Sequence, residues 1–354
     1  MAAIDVLMPV RNGVQFLGQS IESIIGQTFR DWRLLILDHG SSDGSAELAH
    51  RYAAKDCRIQ ILSMPGAEHL AGLLNAGLAH CDARYVMRHD ADDIALPDRM
   101  ALTSDFYAMH GHYVVVGGEA IMMDSHGRSI DRLQPPTDPQ AITAASFFYN
   151  PIIHPTVTLN FPLFRKLGAF YGGDFLGVLP DCERPTVTRC AEDYILFGQI
   201  GLSGLCANLA VPLIRYRVHE KSESVAKVAD QIRLCKSVSA YLSKSFCRIR
   251  DLEPFDPEPF SNHSGHVSNF GKAELDREFH RIAGALVKGI GDTPAVRREL
   301  AFRWVLATSK SWKRLARYGR FELSYGRKSG ERAVMRNWAR RIVRPEKYHF
   351  LEAV

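Results

Sequence analysis

Five apolar runs of five residues each, 6–10, 34–38, 59–63, 85–89 and 113–117, punctuate the first third of the chain. Runs this short, bounded by polar residues, predict buried strands. Helical periodicity fills the gaps. Residues 16–26 place Leu17, Ile21 and Ile25 on one face, and helical patterns follow at 46–54, 71–80 and 98–110. Strand and helix alternating at this spacing predict an α/β fold with a doubly wound, mostly parallel sheet and flanking helices. Ligands of such sheets bind beyond the carboxyl ends of the strands. The loops after Val10, Asp38 and His89 lie there, and they are rich in polar residues.

The pattern changes in the second half. Residues 251–271 are dominated by Pro, Asp, Ser, Asn, His and Gly and read as a linker or long loop. Only helical patterns follow. The expected organisation is a catalytic domain over 1–225, a helix and linker over 226–272, and a basic helical region over 273–354.

Charge sharpens that division. Residues 297–347 hold 16 Lys or Arg against four Asp or Glu, a local balance of +12 within a chain of net +5, which leaves −7 elsewhere. Trp304, Trp312, Tyr318 and Trp338 lie among these basic positions. Two readings follow: a basic amphipathic helix on an anionic membrane surface, or packed helices with a solvated basic face. Nucleic acid is the weaker partner, because the aromatic positions suit a membrane interface at least as well.

At 354 residues and 46% hydrophobic composition the chain can fill a substantial core. Its seven cysteines are scattered and contain no Cys-x-x-Cys pair, which argues against a disulfide framework and a zinc ribbon. The N-terminus has no basic n-region and no run of about 18 apolar residues occurs. The expectation is a cytoplasmic protein, peripheral on the inner face of the cell membrane if the basic region docks there.

The chemistry concentrates in YVMRHDADDIALPDRM, where a strand runs into Asp90, Ala91, Asp92 and Asp93. Three carboxylates in four residues repel one another unless solvated or shared by a cation, and hard oxygen ligands favour Mg²⁺ or Mn²⁺. No Gly-rich phosphate loop follows the first strand, where MPVRNG stands instead. That disfavours a nucleotidyltransferase or a Rossmann oxidoreductase.

IDVLMPVRNG, LLILDHGSSDGS, GLLNAGLAHCDARYVMRHDADD, HPTVTLNFPLFRKLGAF, AEDYILFGQI and LIRYRVHEKSES follow one another in order. Over about residues 3–225 this series resembles the family 2 inverting glycosyltransferases with a GT-A fold. The resemblance implies transfer of a sugar, with inversion, from a nucleotide-diphosphate sugar to an acceptor hydroxyl on a surface glycan or lipid-linked saccharide. It also implies a divalent metal, Mn²⁺ or Mg²⁺.

Roles carry over residue by residue. Pro9, Arg11, Asn12, Asp38, His39, Asn75, Asp90, Arg99 and Arg217 are assigned to donor binding, and Asp92, Asp90 and His219 to the metal. Lys221, Ser222 and Ser224 after His219 add a phosphate-friendly setting. Asp193 matches the family's general base and Glu192 an acceptor-orienting neighbour, with a plain helix cap as the structural alternative. Asp93 is either a further contact or a helix N-terminal charge, and His154 is left outside the catalytic set. His39 stands where the family has a second Asp and Arg11 where it has Tyr, which weighs against uridine and leaves guanosine or thymidine. The stretch between Ala169 and Glu192, with Gly172, Gly173, Asp174 and Asp181, exceeds the family pattern and is expected to select the acceptor. The competing class is a binding protein for nucleotide sugar, nucleic acid or membrane that keeps the fold without catalysis.

Overall fold

The computed structural model describes residues 2–185, 187, 190–219, 228–261, 271–308 and 311–343. They form two compact units, interleaved along the chain.

The first unit comprises Met1–Pro135, Ile152–Phe175 and Leu205–His219. Its strands are β1 (Ile4–Val10), β2 (Trp32–Asp38), β3 (Ile59–Ser63), β4 (Tyr85–Arg88), β5 (Ile94–Ala95), β6 (Val115–Met123), β7 (Ser129–Leu133), β8 (Thr158–Asn160) and β9 (Cys206–Arg217). Its helices are α1 (Val14–Ile25), α2 (Ser45–Ala53), α3 (His69–Leu78), α4 (Arg99–Met109) and α6 (Phe161–Lys166), with α5 (Pro139–Ala145) belonging to the second unit. The sheet order is β3-β2-β1-β4-β8-β6-β9-β5, with β7 paired to β6.

The doubly wound half is parallel as expected: β3, β2, β1 and β4 pair in one direction. Beyond β4 the sheet is mixed, since β8 runs antiparallel to both β4 and β6, and β5 runs antiparallel to β9. The reason is connectivity. The segments joining these later strands are not single crossover helices, so nothing forces a parallel return. The expected strand at 113–117 runs on to Met123 and pairs along its length with β9. Pro9 sits inside β1 without cost, because β4 pairs β1 only as far as Leu7. Val6, Met8, Leu34, Ile36 and Met87 are buried under the helices with Leu17 and Ile21 of α1.

The second unit comprises Pro136–Pro151, Leu176–Gly204 and the chain from Glu220 onward. It holds α5 (Pro139–Ala145), α7 (Glu192–Gly201), α8 (Val228–Arg250), α9 (Lys272–Ile290), α10 (Pro294–Leu306), α11 (Ser311–Tyr325) and α12 (Ser329–Val343). The expected boundary at 225 is therefore corrected. Phe147, Tyr194 and Ile195 share one apolar core with Val238, Leu242, Phe246, Leu286 and Leu300. Burial of those side chains, which contributes about 1.5–3 kcal/mol each, ties the segments around α5 and α7 to the later helices.

The expected linker is only partly one. Phe255 and Phe260 are buried in the same core, and Glu258–Phe260 forms a 3-10 turn; residues 262–270 lie outside the described residues. The basic region packs as helices. Phe302, Val305 and Leu306 meet Phe321 and Met335 in a small core of their own, against which Tyr318 and Trp338 pack. Among the described residues no helix is long and apolar enough to cross a membrane.

Candidate active site

Because β1, β2 and β4 are parallel, their carboxyl ends share one edge: Val10 stands opposite Asp38, and Leu7 opposite Arg88. The loops after β1 and β2 are laced together there. Asn12 adopts φ 54°, a left-handed conformation that Asn tolerates. Its Oδ1 accepts from the Ser42 N–H at 2.8 Å, and its own N–H donates to Ser41 Oγ at 3.1 Å. No side chain of α1 caps its N-terminus. Asp43 Oδ2 accepts from the Val14 N–H at 3.0 Å and Ser45 Oγ from the Gly13 N–H at 2.9 Å, so the neighbouring loop supplies the cap. Burial opposes the charge on Asp43, but hydrogen bonds from Ser45 and Val14 outweigh it and lower its pKa.

Asp38 is 5% exposed and accepts from the Ser41 N–H at 3.2 Å. His39 places Nε2 2.9 Å from the Ala67 carbonyl oxygen. A carbonyl only accepts, so Nε2 carries the proton and Nδ1 is left as the acceptor. Arg11 is exposed beside this edge, whereas Pro9 is buried and presents main chain alone.

The carboxylates follow β4. Ligand oxygens of Asp90, Asp92 and Asp93 lie within 4.8 Å of one another. Their charges are compensated individually to a degree the sequence did not reveal. Arg88, 5% exposed, forms an ion pair with Asp90 and donates to the His89 carbonyl at 2.7 Å. His219 Nε2 lies 2.9 Å from Asp92 Oδ2, bringing β9's end to the loop after β4. Asp93 is fully buried; its Oδ1 accepts from the Arg217 N–H at 2.8 Å, while its Oδ2 has no hydrogen-bond partner among the described residues. Burial, reinforced by the charges of Asp92 and Asp90, pushes the Asp93 carboxyl well above the usual range.

This donor set fits a divalent ion. Asp90 and Asp92 are partly exposed oxygen ligands, His219 is within reach of Asp92, and an orphaned carboxylate oxygen lies in the same cluster. Lys221, Ser222 and Ser224 lie outside the described residues.

Three expected donor contacts take other roles. Arg99 is 1% exposed, donates to His89 Nδ1 at 3.1 Å and to the Arg88 carbonyl at 2.7 Å, and so braces β4 from within. Burial pulls its pKa down to about 9, which keeps it charged at neutral pH. Arg217, 3% exposed, donates to the carbonyls of Asp92, Asp124 and Ser125 and to Gln19 Oε1, and stacks 4.3 Å from the Phe16 ring. Both guanidinium groups are almost wholly buried and are engaged by main chain and neighbouring side chains, a bracing role that the sequence did not show. Asn75 uses both ends of its amide on the backbone of Tyr171, at 2.9 and 3.0 Å, and so fixes the start of the long loop. Sequence reading missed Arg88, Asp43, Ser45 and Gln19. The Ser-Ser-Asp-Gly-Ser turn was the available signal for Asp43 and Ser45; nothing in sequence marked Gln19, whose partner is 198 residues away.

In the second unit, α7 opens at Glu192 after Ala191 in a left-handed conformation. Glu192 is 6% exposed. Asp193 is partly exposed; its Oδ2 accepts from Asn150 Nδ2 at 2.9 Å and its Oδ1 from the Tyr194 N–H at 2.8 Å. A carboxylate held by two donors at a helix N-terminus is fixed in orientation. His154, in the first unit, faces the Tyr171 hydroxyl at 3.3 Å.

Residues 5–157 match the family model described as glycosyl transferase family 2. The putative glycosyltransferase EpsE of Bacillus subtilis (strain 168) is 32% identical over 168 residues, which are 47% of this chain and 59% of EpsE. The chain thus matches less than two thirds of that relative's length. The O-antigen biosynthesis glycosyltransferase WbnJ of Escherichia coli is 26% identical over 248 residues, 68% of this chain and 89% of WbnJ. Among solved structures, the mannosyltransferase PcManGT from Pyrobaculum calidifontis, in complex with GDP-Man and Mn2+, superposes with a TM-score of 0.50 at 15% identity, covering 98% of this chain and 88% of that one. At that identity the likeness is one of fold.

Proposed function

Residues 5–157 are a glycosyl transferase family 2 domain with the GT-A fold, and on that premise we propose that the chain transfers a sugar from a nucleotide-diphosphate donor to an acceptor hydroxyl. The observation that carries this reading is the cluster of Asp90, Asp92 and Asp93 with His219 at the carboxyl edge of the parallel strands. Asp92 and His219, with Asp90 beside them, would hold Mn²⁺ or Mg²⁺; PcManGT is a protein of this fold solved with Mn2+ and GDP-Man. Such an ion neutralises charge on a departing diphosphate.

The chain's own residues do the rest. Arg88 holds the Asp90 carboxylate in place. Arg217 fixes the Asp92 carbonyl and the Asp93 carboxylate. Asp38 and His39 receive the nucleoside. With Nδ1 as its acceptor, His39 favours a base that bears a ring N–H, which uracil, guanine and thymine have and cytosine lacks. Asp193 accepts the proton of the attacking hydroxyl in a single displacement with inversion, and Glu192 shapes its surroundings. The acceptor is a surface glycan or lipid-linked saccharide; WbnJ, whose name places it in O-antigen biosynthesis, supports that class.

The test is a thermal-shift screen of the full chain with UDP, GDP, dTDP or CDP, each with Mn²⁺, Mg²⁺ or EDTA. The expected result is a metal-dependent rise in Tm with an N–H-bearing base, none with CDP, and none in Asp92→Asn. Equal shifts in EDTA, or in Asp92→Asn, would defeat the metal-assisted reading. With the donor thus identified, Asp193→Asn should bind it unchanged and lose about 10²- to 10⁴-fold in transfer rate.

A further inference from the structure

A groove of about 480 Å³ lies within the second unit, bounded by α9, α10 and α11. One stripe of each helix builds it: Phe279 and Ala283 from α9, Leu300 and Trp304 from α10, and Phe321 from α11. These pairs are spaced by four residues on α9 and α10, so they share a face. Small side chains keep the stripes from closing into a core, because Ala283, Ala301 and Ser324 occupy positions where larger residues would interlock. The volume falls in the range of small-molecule sites.

The charge around this apolar space has one sign. Arg297, Arg317 and Arg320 line it, and no Asp or Glu is among the lining residues. Arg297 is neutralised by Asp292 at 2.5 Å. Arg317 lies 4.4 Å over the Trp304 ring and donates to the carbonyls of Trp304 and Ala307 at 2.8 and 3.0 Å. It makes no ion pair among the described residues, and Asp276 acts on it only through space. Arg320 is exposed and likewise unpaired there. Two guanidinium groups without carboxylate partners, set beside an apolar trough, complement a molecule with an anionic group joined to an apolar chain.

We propose that this groove binds one anionic membrane lipid, its phosphate on Arg317 and Arg320 and an acyl chain along Phe279, Leu300, Trp304 and Phe321. The basic helices thereby dock on an anionic bilayer through a defined lipid site and not by net charge alone. The site lies entirely in the second unit and depends on neither donor nor metal.

The experiment is cosedimentation of the full chain with vesicles of phosphatidylcholine alone or with one third phosphatidylglycerol. Wild type, Arg320→Gln and Ala283→Phe are compared, with circular dichroism reporting the fold of each. Wild type should bind the anionic vesicles at least ten-fold more tightly. Arg320→Gln, at an exposed position, should weaken binding about five-fold, the worth of one basic residue at such a surface. Ala283→Phe, which fills the groove without altering charge, should weaken it about as much, and excess glycerol phosphate should not displace the protein. A folded Ala283→Phe that binds as wild type would reduce the surface to non-specific charge. Displacement by glycerol phosphate, or binding of a single-stranded RNA in place of vesicles, would also overturn the proposal.

Discussion

Buried arginines decide how the carboxylate loop is held. Arg88, Arg99 and Arg217 are each 5% exposed or less, and their donors end on main-chain carbonyls or on neighbours of the cluster. A motif reading hands such residues to the ligand, since arginine and phosphate are natural partners. Here the guanidinium forks are used inward, because the loop after β4 and the end of β9 leave carbonyls that need planar, multi-donor partners. Arg217→Met should leave the carbonyls of Asp92, Asp124 and Ser125 and the Gln19 oxygen without that donor. At about 1–3 kcal/mol for each buried group left unsatisfied, urea unfolding of the metal-free chain should show a loss of about 3 kcal/mol or more. Arg217→Lys should recover less than half, since one ammonium cannot span the same set. A loss below 1 kcal/mol for Arg217→Met would show the brace to be dispensable.

At the scale of elements, packing overrides local preference. Gly77 lies in α3, where replacing glycine by alanine ordinarily gains up to about 1 kcal/mol. A Cβ there would stand 2.5 Å from Leu37 Cδ1 and 3.3 Å from Leu7 Cδ2, both on buried strands. Overpacking costs about 1–3 kcal/mol, so Gly77→Ala is expected to destabilise by about 1 kcal/mol and to lower Tm by a few degrees in calorimetry. A rise in Tm would mean that α3 lifts from the sheet at little cost. The same lesson holds for α1, whose N-terminus takes its cap from Asp43 and Ser45 of another loop and not from its own sequence.

At the scale of the whole molecule, two units share one chain without a single boundary. The segment around α7 carries Asp193, yet its apolar face is satisfied by α8, α9 and α10. Thiol reactivity reads this packing directly. Cys57 and Cys182 are exposed and Cys190 is partly so, whereas Cys81, Cys206, Cys235 and Cys247 are buried. Burial raises all four of the latter, Cys235 to about 12, and withholds the reactive thiolate. Titration with a thiol-specific chromogen at pH 8 should therefore label Cys57 and Cys182 quickly, Cys190 more slowly, and the other four only in denaturant. Rapid labelling of Cys235 or Cys247 in the native chain would refute the packing of α8.

The sequence by itself determined the strand and helix alternation to residue 117, the parallel half of the sheet and the placement of Asp38, Asp90 and Asp92 at strand ends. These rest on local periodicity and on runs of polar residues, which one chain segment can carry alone. The motif series likewise resembled the family whose model matches residues 5–157. Only the tertiary structure decided that Arg99 and Arg217 face inward, that Asn75 holds the Tyr171 backbone, and that Arg88 offsets Asp90 before any cation is considered. It also decided that α5 and α7 pack with the C-terminal helices. The physical reason is that a long polar or apolar side chain satisfies whichever partner the fold brings near: the partners of Asn75 and Arg217 lie 96 to 198 residues away and leave no local mark, and even the near partners of Arg88 and Arg99 are set by burial that the sequence does not show.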